Sequence, residues 1–113
     1  MAVDAPLTPK HLIKNSTRIP AELEEWSTNL DMEELEPALR KLSSRVGAGF
    51  GRSETSEIIA VVEDMKVEQT RAFRFPIKFE NKKADLFVEI FTDDLNSPDV
   101  AIYSDPALIK CLV

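Results

Sequence analysis

Hydrophobic and polar residues alternate most clearly in residues 73–91, which read FRFPIKFENKKADLFVEIF. A period of two places alternate side chains on opposite faces of a strand, and the polar segment 80–83 separates two such runs. This pattern predicts an antiparallel hairpin with strands at 67–79 and 84–92. Because proline has no N–H to donate, we expect Pro76 at a sheet edge or a bulge.

The hairpin carries most of the aromatic side chains of the chain. Phe73, Phe75 and Phe79 occupy odd positions of the first strand and therefore share one face. We expect this face to pack against helices, which commonly cover one side of an antiparallel sheet. The alternative is an exposed aromatic surface that binds a partner or a second copy, because aromatic residues are enriched at interface cores.

A helix is predicted before the hairpin, in residues 20–29. Its evidence is the helical spacing of four apolar side chains, Ile19, Leu23, Trp26 and Leu30. Pro20 suits the first turn, where a missing N–H costs nothing, and the acidic residues that follow lie near the positive end of the helix dipole.

A second helix is expected after Asp31, which is followed by Glu34 in the form of a capping box. Apolar residues keep helical spacing up to position 46, but Pro37 would remove one hydrogen bond and clash with the preceding turn. The helix therefore either starts near Pro37 after a separate turn or kinks at Pro37. We favour a separate turn at 32–35 and the main helix at 36–46.

All three glycines of the chain fall in residues 47–51. A glycine cluster can present backbone N–H groups to a phosphate, and Arg52 could contact the same anion. However, the known phosphate-binding loops follow a strand, and the P-loop needs a lysine. A flexible connector is therefore the favoured interpretation, and an anion-binding loop is the alternative.

Residues 58–62, IIAVV, are compatible with a strand or a helix. Most of them are β-branched, which favours a buried strand, and a strand is our prediction. The alternative is a helix, because the apolar residues at 58, 61, 62 and 65 share a helical face that Ser53 or Thr55 could cap.

The C-terminal part is expected to add a third strand at 100–103 and a short helix at 107–113. Asp105 and Pro106 have the form of a helix start, with a cap followed by a first-turn proline. The whole pattern predicts a two-layer α+β fold, in which N-terminal helices pack on an antiparallel meander of three to four strands.

The length of 113 residues indicates one domain, which we assign to residues 18–113. Residues 1–17 show little periodicity and are expected to form a mobile arm, which His11, Leu12 and Ile13 could anchor. The single cysteine excludes an internal disulfide and suits a reducing compartment, the cytoplasm. No signal peptide and no apolar stretch of about 20 residues are found, so no membrane association is expected.

Charge is distributed unevenly along the chain. The net charge of −6 argues against nucleic acids and anionic membranes as partners. Residues 22–36 carry seven acidic residues and no basic ones, whereas residues 66–83 carry six basic and two acidic ones. The candidate partner-binding residues are Glu24, Glu25, Glu33 and Glu34 in the acidic run and Arg74 and Lys78 in the basic run. The alternative is that both runs form solvated faces.

Candidate catalytic and metal-binding residues are sparse. The only histidine, His11, lies in the predicted arm, whereas an acid–base catalyst must be held near its target. Cys111 is expected to pack as a small apolar residue and, with one histidine, does not form a zinc site. Asp94, Asn96 and Asp105 match positions 1, 3 and 12 of a calcium loop in spacing, but Asp99 stands where glycine is needed and the last ligand is Asp105 rather than glutamate. A polar strand connection is therefore the favoured interpretation. No catalytic residue, metal or cofactor is predicted.

Glu89 lies in an otherwise apolar stretch of its strand. We expect it to form a cross-strand ion pair with Arg74 or Lys78, since such pairs commonly stabilise sheets. The alternative is an acid that contacts a ligand, in a pocket between helices and sheet near Trp26, Phe75 and Glu89.

Two classes of function are compatible with these features. The favoured hypothesis is a non-catalytic protein-binding module, such as an adaptor, a chaperone-like protein or an inhibitor or immunity-type protein. The alternative is a small-ligand-binding protein or a small enzyme with the pocket described above. Homodimerisation through an exposed strand edge is compatible with both.

Overall fold

The computed structural model describes residues 11–13, 19–93 and 97–112. Their elements are β1 (Leu12–Ile13), β2 (Glu24–Asn29), α1 (Met32–Arg45), α2 (Arg52–Asp64), β3 (Gln69–Phe79), β4 (Lys82–Thr92), β5 (Pro98–Ser104) and α3 (Pro106–Lys110). The strands form one antiparallel sheet of five in the order β1-β3-β4-β5-β2. The α+β class is confirmed, with more strands than expected.

β3 and β4 form the hairpin that the alternation predicts. Phe79 lies opposite Lys82, so Glu80 and Asn81 make a two-residue turn between the strands. Their φ angles are 50° and 64°. Positive φ at both positions is typical of the type I′ turn, whose twist matches that of the two strands.

The core lies between one face of the sheet and the helices α1 and α2. Phe73, Phe75 and Phe79 are buried there, which confirms the expected core packing. Full burial of a side chain of this size contributes about 1.5–3 kcal/mol relative to exposure. The helices contribute the buried residues Leu35, Leu39, Leu42, Ile58 and Val62.

Pro76 lies on the outer side of β3, as its missing N–H predicts. Arg74 donates its N–H to the His11 carbonyl at 2.8 Å, and Lys78 donates to the Ala48 carbonyl at 2.8 Å. The even-numbered residues of this stretch therefore direct their N–H groups away from β4. Pro76 has no N–H, so no donor is left unpaired at its position. The outer edge of β3 is covered on both sides of Pro76, by His11 at Arg74 and by Ala48 at Lys78.

The helix predicted at 20–29 is wrong, because Glu24–Asn29 is the strand β2, paired with β5. Trp26 and Leu30 fit a helical period, but Trp26, Thr28 and Leu30 also alternate, and these are the half-buried positions. β5 supplies the pairing partner from a distant part of the chain. Strand preference depends on such neighbours more than on local pattern.

The break predicted at Pro37 is also wrong, because α1 runs without interruption from Met32 to Arg45. Part of the expected capping is present, since the Asp31 N–H donates to Glu34 Oε1 at 3.2 Å. Pro37 lies on the exposed side of α1. Burial of the opposite side offsets the hydrogen bond that proline removes.

The strand predicted at 58–62 is wrong, and the helical alternative is correct, since these residues lie in α2. Ile58 and Val62 are one turn apart and both face the core, with exposed fractions of 0% and 3%. Their burial outweighs the strand preference of β-branched residues. The residue at the cap position is Gly51 rather than Ser53 or Thr55.

The glycine segment 47–51 packs against β3 and is not a free connector. Ala48 forms an isolated antiparallel bridge with Lys78. Gly49 has a φ of +98°, and a Cβ added there would lie 2.3 Å from the Pro76 carbonyl oxygen. Only glycine tolerates both the positive φ and this close approach.

The third strand is confirmed as β5, and the final helix is confirmed as α3, although α3 ends at Lys110 and is shorter than predicted. Asp105 Oδ1 accepts the Ala107 N–H at 2.9 Å, as a helix cap does, and Pro106 opens the helix. Leu12 and Ile13 pair with β3 and are docked on the sheet, as expected. The rest of the predicted arm, residues 1–10 and 14–17, lies outside the described residues.

Candidate functional site

The two edges of the sheet differ in how their backbone groups are used. On the β2 side, the Leu30 N–H donates to the Pro98 carbonyl at 3.0 Å. In an antiparallel pair, residues that bond to the partner strand alternate with residues that do not. Every second residue of β2 therefore turns its N–H and C=O away from β5. These residues are Glu25, Ser27 and Asn29. Within the described part of the chain, none of these outward groups has a partner.

Carboxylates surround this unpaired edge. Glu24 and Glu25 are exposed on β2, and Glu33 and Glu34 are exposed in the first turn of α1, which follows directly. The ion pairs among the described residues are His11–Glu57, Arg40–Glu36 and Arg74–Asp85. The four carboxylates therefore have no cationic partner in that part of the chain. We call β2 with these carboxylates the acidic edge.

An apolar cleft of about 200 Å³ lies beside the acidic edge, on the helix side of the sheet. Trp26 and Thr28 of β2 line it, and Lys41 of α1 also borders it. The remaining lining is apolar and includes Leu30, Leu39, Leu42 and Leu112. The cleft can therefore hold a few apolar groups next to the unpaired backbone of β2.

The predicted basic residues lie at the opposite side of the sheet. Arg74 Nη2 contacts Asp85 Oδ1 at 3.2 Å, and both side chains are substantially exposed. Lys78 lies opposite Lys83 in the register of the hairpin, beside an open groove of about 560 Å³. Three strand spacings of about 4.8 Å separate β3 from β2, so the acidic and basic sets form separate surfaces.

The predicted pocket residues are not brought together. Phe75 is fully buried in the core, and Trp26 lies on the same face but at the edge strand. Glu89 lies on the other face, beside Ala72 and Ala101 in register. The cleft at Trp26 thus contains one of the three residues proposed for the pocket.

Glu89 does not pair with Arg74 or Lys78, so that prediction is wrong. Its partner is Tyr103, whose hydroxyl donates to Glu89 Oε1 at 3.4 Å. Burial raises the pKa of the Tyr103 hydroxyl above its ordinary value, and the charges of Glu89 and Glu25 raise it further, as does the hydrogen bond to Glu89. Each of these effects disfavours the phenolate.

His11 is held in place by Glu57, a contact that the sequence did not reveal. Its Nδ1 lies 2.8 Å from Glu57 Oε1, and its backbone N–H donates to Glu57 Oε2 at 2.9 Å. Its ring packs on Phe75, with 4.7 Å between the ring centroids. These contacts fasten β1 to α2. Glu57 is 46 residues away in sequence, and no local spacing connects it to His11.

The other candidate residues remain apart from this site. Cys111 is exposed and donates weakly to the Ala107 carbonyl at 3.4 Å, so the prediction of a buried packing role is wrong. Arg52 is exposed in the first turn of α2. No group of residues suited to hold a metal occurs among the described residues. Of the calcium-loop candidates, Asp105 caps α3, and Asp94 and Asn96 lie outside that range.

Comparisons with protein-family models, with curated proteins and with solved structures found no match. In the part of the chain that the structure describes, no helix is both long and apolar enough to cross a membrane.

Proposed function

We propose that this protein is a small, acidic, non-catalytic protein-binding module of the adaptor, chaperone-like or inhibitor and immunity type. The observation that carries the proposal is the outer edge of β2, whose outward backbone groups have no partner among the described residues. The residues beside Pro76 on the other edge are covered by β1 and by the glycine segment. An exposed strand edge offers a template for another chain, and most proteins protect such edges.

The four carboxylates of the acidic edge, which have no cationic partner in the described part of the chain, support the same role. Glu24, Glu25, Glu33 and Glu34 provide a negative field that attracts a positively charged surface and speeds its association. The proposal includes a reducing compartment such as the cytoplasm, which the single cysteine supports. It does not include nucleic acid or membrane partners, because the net charge is −6.

The test is retention of a partner by immobilised protein from a lysate of the source organism. Ser27→Pro removes one outward N–H of β2 without touching the bonds to β5, and Ser27→Ala keeps that N–H. We expect wild type and Ser27→Ala to retain a stoichiometric protein that high salt removes, and Ser27→Pro to lose it. Circular dichroism confirms that each variant is folded. Equal retention by both variants would contradict binding at this edge.

The apolar cleft favours a second candidate function, binding of a small apolar molecule. Its lining includes Trp26 and several leucines in a volume of about 200 Å³. A ligand present at a hundredfold excess over its dissociation constant stabilises the fold by about 2.7 kcal/mol. A thermal-shift panel of metabolites tests this, and a flat response across the panel would count against it.

A further inference from the structure

We infer that the acidic edge binds an extended segment of another protein in which basic residues alternate with apolar residues, added to the sheet as a strand beside β2. The inference rests on the proposed function and names the chemistry of the partner. It follows from three features of β2, namely its outward backbone groups, its two different faces and its charge.

The backbone groups require an extended partner. Glu25, Ser27 and Asn29 turn N–H and C=O outward at every second residue, a repeat of about 6.8 Å along a strand. A chain in strand conformation presents its own donors and acceptors with the same repeat, whereas a helix satisfies them internally. An added strand can therefore pair with all three residues at once.

The helix side of β2 favours apolar residues in the partner where Trp26 and Thr28 line it. Trp26 and Thr28 point to this side, because they lie opposite the core residues Ile102 and Val100 of β5. Both β2 side chains are half-buried and line the apolar cleft. Every second residue of an added strand would lie against them. Apolar side chains there gain burial, and charged ones would lose solvation.

The other side of β2 favours basic residues. Glu25 points to this side, opposite Tyr103, whose hydroxyl contacts the carboxylate of Glu89. Farther along the same side, Asn29 donates to the exposed carboxylate of Asp99. A residue of an added strand beside Glu25 therefore faces a carboxylate, and Glu89 and Asp99 make the same side of the sheet negative. Opposite charges on neighbouring strands are stabilising and like charges are not.

The charge also argues against a second copy of this chain as the occupant. Pairing of β2 with β2 of another molecule would bring together two acidic runs, each with seven acidic residues and no basic ones in residues 22–36. Such like-charge contact is destabilising. A basic segment of a different protein removes this repulsion and replaces it with attraction.

The probe is a capped peptide that alternates lysine and valine, KVKVKVK, and the readout is the fluorescence of Trp26, the single tryptophan. A peptide of the same composition without alternation, KKKKVVV, and the acidic peptide EVEVEVE serve as controls. We expect a saturable change with KVKVKVK that weakens at high salt, and binding at least about tenfold weaker with both controls. Equal binding of KVKVKVK and KKKKVVV would show attraction by charge alone and overturn the inference.

Variants of the protein test whether the peptide binds at β2. Ser27→Pro should abolish binding, and Ser27→Ala should preserve it. Glu25→Lys should weaken binding about tenfold, whereas Glu63→Lys, with the same change of net charge on an exposed position of α2, should change it less than about twofold. An equal loss in Glu25→Lys and Glu63→Lys would exclude a specific contact at β2.

Two further outcomes separate this inference from the proposed function. If the lysate partner depends on Ser27 but KVKVKVK neither binds nor competes, the protein-binding function stands and the basic alternating segment is wrong. If sedimentation shows a dimer that Ser27→Pro dissociates, the occupant is a second copy and the inference is overturned.

Discussion

Glu57 contacts His11 through both carboxylate oxygens, at 2.8 Å from the imidazole Nδ1 and 2.9 Å from the backbone nitrogen. Both side chains are only 17% exposed, so water screens the contact weakly. The pair fastens the two-residue strand β1, which pairs with β3 at Leu12 and Ile13. Docking of this edge thus depends on a contact with α2.

Replacement of Glu57 by alanine should release β1. Because two part-buried hydrogen bonds are lost, we expect the free energy of unfolding to fall by about 1–3 kcal/mol. Amide exchange at Arg74, whose N–H donates to the His11 carbonyl, should accelerate. Urea denaturation and hydrogen exchange measure these effects, with the exposed Glu63→Ala as the control. Unchanged protection of Arg74 would show that β1 docks without Glu57.

Replacement of Gly49 by alanine should be strongly destabilising. The new Cβ would lie 2.3 Å from the Pro76 carbonyl oxygen, at a backbone φ of +98°. We expect a loss of about 1–3 kcal/mol from the backbone conformation, with the clash in addition. Gly51→Ala is the matched control, since its Cβ would meet nothing closer than 3.8 Å, and it should cost about 1 kcal/mol or less. Equal midpoints in urea would refute the packing of this segment on β3.

The single tyrosine allows a direct titration of Tyr103 by ultraviolet absorbance. Burial and the neighbouring carboxylates raise its pKa, and Glu89→Gln should lower the pKa toward the ordinary value without restoring it fully. Because the folded state retains the proton longer than the unfolded state, this group contributes stability that is complete below pH about 10. The contribution is lost as pH rises through the folded pKa. A pKa unaffected by Glu89→Gln would contradict the contact.

The exposed pair between Arg74 and Asp85 should matter little for folding. Side chains exposed at 53% and 40% form ion pairs that water and salt weaken. We expect Arg74→Ala to change the free energy of unfolding by about 0.5 kcal/mol or less, measured by urea denaturation. Asp85→Ala should behave in the same way. A loss well above this value would assign the pair a structural role.

The hairpin was predictable from sequence because the residues that determine it are close together in the chain. Alternation defines β3 and β4, and the polar residues between them include the two that form the turn. β2 was not predictable in this way, since the spacing of Trp26 and Leu30 fits a helix and a strand equally. Pairing with Val100 and Ile102 decides between them, and a local pattern carries no information about that pairing.

The acidic character of the candidate site was predictable from the sequence, but its position in the fold was not. Composition identified Glu24 and Glu25 as members of an acidic run. Their position on an edge strand of the described sheet depends on the strand order, which places β2 beside β5 instead of beside β1. The contact of His11 with Glu57 joins residues far apart in sequence and was equally inaccessible.

The position of β2 in the sheet also governs when it can fold during protein synthesis. Asn29 contacts Asp99, which is 70 residues later, so the ribosome needs roughly 4 to 14 s at about 5–20 residues per second to supply the partner. β2 is therefore synthesised early and joins the sheet late. Its exposed carboxylates keep an unpaired strand soluble during that interval, as charged residues beside hydrophobic strands do in other nascent chains.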